Sequence, residues 1–103
     1  MDITYRPEES MKALIHLGTT GHFPLFHDIW MNDPDMKEKR FQKITGIERA
    51  RAKKLFQQVS KHRQLEHKKT VLLSMCDEDR KLFMKAFFKL VEGKILDQRP
   101  ELH

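Results

Sequence analysis

The sequence predicts an all-α fold, a compact single-domain bundle of four to six helices, on three observations. Apolar residues recur three and four positions apart in several segments, whereas no stretch alternates apolar and polar as a strand would. Pro, Gly and capping residues punctuate those segments at helix-like lengths. Seven Phe, six Met and one Trp in 103 residues supply a core that needs no disulfide.

Element by element, "RPEESMKALIHLG" (6–18) reads as a first helix. Pro7 suits its first position, Glu8 and Glu9 the positive end of its dipole, and Gly18 a left-handed stop. Met11, Leu14 and Ile15 form its apolar face. "HFPLFHDIWMN" (22–32) predicts a short second helix from near Pro24, burying Phe26, Ile29 and Trp30. "NDPD" (32–35) is a turn, because Asp33 precedes Pro34 and is pushed out of the helical region. A third helix follows from Asp35, with Met36 and Phe41 as its apolar contacts. Gly46 interrupts. A fourth helix runs from about Ile47 to Ser60, and "RQLEHKKTVLLSM" continues it or forms a fifth.

"SMCD" (74–77) has the capping-box spacing and opens a last helix over 75–92 that ends at Gly93. Leu82, Phe83, Ala86, Phe87, Leu90 and Val91 give that helix the widest apolar stripe in the chain. Met84 and Phe88 lie on its flank at i, i+4, so the helix is apolar over more than half its circumference. Either the N-terminal helices cover that flank, or a homodimer or a partner helix lies along Met84 and Phe88. The tail, 97–103, is expected to fray.

The net charge of +5 is unevenly placed. Residues 1–36 hold two basic and six acidic side chains, residues 37–69 twelve and three, and residues 70–103 six and six. The domain therefore divides into an acidic N-terminal part, a basic helical middle and a C-terminal amphipathic helix. A basic middle attracts anions: nucleic acid, an acidic protein or an anionic membrane surface. The one cysteine, Cys76, and the lack of a leader segment point to the reducing cytoplasm. No apolar run is long enough to span a bilayer, so no membrane role is expected.

The basic segment "KITGIERARAKKLFQQV" (43–59) concentrates the functional question. On a helical wheel Ala52, Leu55, Phe56 and Val59 share one arc of about 100°. Lys53, Lys54, Gln57 and Lys61 lie opposite, and Arg49 and Arg51 flank the stripe. Over about residues 38–58 the pattern resembles the helix-turn-helix motif of DNA-binding proteins. In that motif a helix ends at a glycine, a buried aliphatic residue follows, and a second helix enters the major groove.

The resemblance implies that Phe41, Ile47, Ala52 and Leu55 are buried and that Gly46 makes the turn. It also implies that Glu48, Arg49, Ala50, Lys53, Lys54 and Gln57 face DNA. Gln42 departs from it, standing where that family places Ala. The same residues resemble a helix-hairpin-helix through Ile44, Gly46, Ile47 and Ala52, although Glu48 replaces its second glycine. The candidate nucleic-acid contacts are therefore Lys43, Arg49, Arg51, Lys53, Lys54, Gln57 and Lys61.

Other chemistry has little support. His16, His22 and His27 are spaced six and five apart, which suits no metal knuckle, so no metal or cofactor is expected. Cys76 is a small apolar residue in this reading, and no small-molecule or catalytic motif is present, so the chain is not expected to be an enzyme. Two functions follow: a small nucleic-acid-binding, regulatory protein using the helix after Gly46, or a non-catalytic helical adaptor binding an acidic or amphipathic protein.

Overall fold

The computed structural model describes residues 9–97. Among these are six helices and no strand: α1 (Met11–Gly18), α2 (Asp28–Met31), α3 (Pro34–Lys39), α4 (Gly46–Ser60), α5 (Leu65–Ser74) and α6 (Asp77–Asp97). The all-α expectation holds. The spine is α6, against which α1, α3 and α4 pack, with α5 laid against α4.

The core is aromatic because α6 presents Phe83, Phe87 and Phe88 together. Phe26 meets Phe87 edge to face at 5.1 Å, Phe23 meets Phe88 at 5.3 Å, and Phe56 of α4 stacks on Phe83 at 4.4 Å. Edge-to-face and offset geometries suit the ring quadrupoles, and each ring fully buried contributes about 1.5–3 kcal/mol through lost apolar surface. Leu14, Leu55, Val59 and Leu72 bring α1, α4 and α5 to the same core.

Helix ends are held by side chains that the local sequence supplies, though not always where spacing suggests. Ser10 caps α1, accepting from the Ala13 N–H at 3.2 Å, so that helix begins later than predicted. Pro7 lies outside the described residues. Gly18 is not the left-handed stop; that conformation falls at Gly21, with φ of 86°. Gly18 is needed for closeness instead, since a Cβ there would sit 2.7 Å from Val91 Cγ2 and 2.9 Å from Phe23 Cε1. Asp33 caps α3, with Pro34 in its first turn.

The second helix is shorter than predicted. Leu25 and Phe26 are buried in the turn before it, while Ile29, expected in the core, is 82% exposed. Met36 is buried as expected, but α3 ends at Lys39 and Phe41 beyond it is 74% exposed. The fourth and fifth helices are separate. In the linker between them the buried Lys68 ammonium donates to the carbonyls of His62 and Arg63 and ties that linker to α5. Glu9 accepts from the Leu65 N–H at 2.6 Å and caps α5 from across the chain.

Ser74 does not cap the last helix. It ends α5 and its hydroxyl donates to the Val71 carbonyl at 2.7 Å. Gly93 does not stop α6, which continues to Asp97. Residues 98–103 of the expected frayed tail lie outside the described residues.

Candidate partner-binding groove

The basic helix enters α6's surroundings through a capping box. The Thr45 hydroxyl accepts from the Glu48 N–H at 3.1 Å, and the Glu48 carboxylate accepts from the Thr45 N–H at 3.0 Å. That carboxylate also takes the buried Lys85 ammonium at 3.2 Å. The Thr45 N–H foremost, with Lys85 beside it, holds the Glu48 carboxyl below its ordinary range.

This geometry corrects three features of the predicted turn. Gly46 is the first residue of α4 and has no positive φ, so no left-handed glycine turn exists there. Ile47 is 85% exposed instead of pinning the turn to the core, and Phe41 is likewise outside. Ala52 and Leu55 are buried as expected, along with Val59.

Position on the helix explains where each candidate residue goes. At 100° per residue, Ala52, Leu55 and Val59 centre the buried side, Arg49 and Lys53 fall on one flank, and Arg51 falls on the other. Lys54, Gln57 and Lys61 point away and are exposed. Arg51 already has an internal partner: its guanidinium grips Asp79 of α6 in a fork, at 2.6 and 3.2 Å. The predicted set is thus split three ways, and only Lys43, Arg49 and Lys53 converge.

They converge on a groove between α4 and α6 with a volume of 750 Å³. Its floor is hydrocarbon from Ile44, Ala52, Phe56, Ala86 and Leu90, and its rim is Lys43, Arg49, Lys53 and Lys89. None of these four cations forms an ion pair among the described residues. Sequence reasoning missed Lys89, Ile44 and the floor role of Leu90. The available signal was the i, i+3, i+4 spacing of Ala86, Lys89 and Leu90, which places all three on one face. A second, smaller groove of 480 Å³ adjoins it between α1 and α6, sharing Lys89 and Leu90.

Met84 and Phe88, expected on a flank that could meet a partner, are 1% and 2% exposed. The chain covers them itself. Phe23, Phe26 and the guanidinium of Arg40, 4.0 Å from the ring centroid, lie on Phe88, and Trp30 and Met36 border Met84.

The N-terminal end of α6 carries the opposite arrangement. Lys81 meets Asp35 at 2.8 Å, Asp77 at 3.0 Å and Asp33 at 3.5 Å, beside the Arg51–Asp79 and Lys85–Glu48 pairs. Lys81 depresses the Asp35 carboxyl, and Arg51 depresses that of Asp79. The cations of this face have their acids within the fold.

The chain matches no protein-family model, no curated protein and no solved structure. Among the described residues no three His, Cys, Asp or Glu gather to hold a metal, and no helix is long and apolar enough to cross a membrane.

Proposed function

We propose that this protein is a non-catalytic interaction module that binds an acidic segment of a protein partner in the groove between α4 and α6. The observation that carries the reading is the pairing of an apolar floor with four cations that form no ion pair among the described residues. Burying hydrocarbon supplies affinity, while charges at the edge steer encounter and set partner choice. A duplex phosphate backbone would use the cations but not the floor.

Nucleic acid stays as the second reading on one observation: Lys54, Gln57 and Lys61 line the outward side of α4, adding to Arg49 and Lys53. Fluorescence anisotropy separates the two. A labelled acidic peptide of mixed apolar and Glu content and a labelled random-sequence duplex are each titrated across a salt series, against the native chain and against Leu90→Ser. The proposal expects peptide binding that Leu90→Ser weakens at least about tenfold, because the floor contributes. Duplex binding that falls steeply with salt and ignores Leu90→Ser, with no peptide binding, would make nucleic acid the answer instead.

A further inference from the structure

The two grooves abut along α6, where they share Lys89 and Leu90, and together they form a trough. Along α6 the residues that line them are Ala86, Lys89, Leu90, Gly93, Lys94 and Asp97, spaced at i, i+3, i+4, i+7, i+8 and i+11. That spacing is a single stripe of one helix face. The stripe is about 16 Å long, since eleven residues rise 1.5 Å each. Its walls are α4 at one end, through Ala52 and Phe56, and α1 at the other, through Ile15. Cations border it throughout: Lys43, Arg49 and Lys53 at the α4 end, Lys89 in the middle, and Lys12 and Lys94 at the α1 end. Asp97 is its one acid among the described residues.

Resting on the groove reading above, we infer that the occupant is an acidic amphipathic α-helix of about three turns lying along α6 across both grooves. Three features argue for a helix. The trough's length matches about eleven helical residues. Its three apolar stations, Ala86 with Phe56 at one end, Leu90 in the middle and Ile15 at the other end, suit anchors at i, i+4 and i+7 of an entering helix. The six cations flank those stations on more than one side, as the acidic edges of an amphipathic helix would require.

Gly93 is the fourth feature. A glycine inside a helix is unfavourable, and α6 runs on past this one for four residues. A Cβ at Gly93 would meet nothing within 4 Å, so packing among the described residues does not require the glycine. On the floor of the trough its missing side chain lets another backbone approach closely.

The test is selection of a random sixteen-residue peptide display library on the native chain, followed by binding of the recovered peptides to three variants: Gly93→Leu, Lys12→Glu/Lys94→Glu and Lys43→Glu/Lys53→Glu. All five positions are exposed or half-buried and none serves the core. Thermal melts confirm that each variant folds, and Gly93→Leu should melt no lower than the native chain. The expected pool is rich in Asp and Glu, carries apolar residues at i, i+4 and i+7, and excludes internal Pro. It should bind all three variants at least about tenfold more weakly, which is the loss of one or two good contacts.

An acidic pool lost on Lys43→Glu/Lys53→Glu but lacking helical spacing, or indifferent to Gly93→Leu and Lys12→Glu/Lys94→Glu, overturns the helix while leaving the groove reading intact. A pool that ignores all three variants, or that holds no acidic peptides, overturns both.

Discussion

The two ends of α6 use the same residue types to opposite effect. At its N-terminal end Lys81, Lys85 and Arg51 each reach an acid within the fold, and the local charge is spent on positioning α3 and α4. Toward its C-terminal end Lys89 and Lys94 stand beside hydrocarbon with cations from α4 and α1 for neighbours. The difference shows why counting charges along the chain is a poor guide to binding. What matters is whether an acid of the same molecule already occupies the cation, and that is a property of packing. Exposed ion pairs contribute little to stability individually, so the exposed pairs of the N-terminal network serve mainly as register for the helices they join.

The comparison can be broken most decisively by charge reversal at the open end. Lys53→Glu/Lys89→Glu should weaken binding of an acidic peptide by about a hundredfold, two decades for two reversals, while leaving urea unfolding unchanged. Arg51→Glu, at the paired end, should leave peptide binding within about twofold of native because its guanidinium is not in the groove. Equal losses from both variants, read by isothermal titration, would erase the distinction between the ends.

Stability should respond the other way round. Glu48→Ala removes half the capping box and strands the buried Lys85 ammonium, so it should cost about 2 kcal/mol in urea denaturation with little change in peptide affinity. Acid should act at the same end. Asp35, Glu48 and Asp79 have folded pKa values below their ordinary ones. Their contribution is therefore fully present above the unfolded values of about 4 and is lost as pH falls through the lower folded values. The urea midpoint should drop across that window, and the drop should be shallower in Glu48→Gln.

The smallest effect belongs to Gly46→Ala. With no positive φ and nothing within 4 Å of a Cβ there, Ala should be neutral or stabilising by a few tenths of a kcal/mol. A loss of 1 kcal/mol or more would restore the glycine turn that the sequence suggested.

Periodicity made the long helices legible. Ala52, Leu55 and Val59 on α4 and Phe83, Phe87 and Val91 on α6 lie in the core because an amphipathic stripe has one place to go. Helix ends were harder to read, because capping is settled by competition among neighbours. Thr45 with Glu48 satisfies the start of α4 directly, which leaves Gly46 an ordinary helical residue and Ile47 outside. Glu9 caps α5 from fifty-six positions away, and Lys68 holds the linker before α5 from six, separations that local spacing does not encode.

The candidate site was half visible. Arg49 and Lys53 were identified from α4 alone, but Arg51 beside them is taken by Asp79, twenty-eight residues on. Ile44, Ala86, Lys89 and Leu90 become a site only when α4 docks on α6. Met84 and Phe88 show the converse. An apolar flank that looked free in sequence is filled by Phe23, Phe26, Trp30 and Arg40.

The most direct test of the groove as the working surface is a nuclear magnetic resonance titration of the isotope-labelled chain with an acidic sixteen-residue peptide. The groove account expects progressive shifts at Lys53, Ala86, Lys89 and Leu90, with Asp33, Asp35 and Asp77 unmoved. Shifts confined to the outward side of α4, at Lys54, Gln57 and Lys61, or concentrated in the ion-pair network, would contradict it.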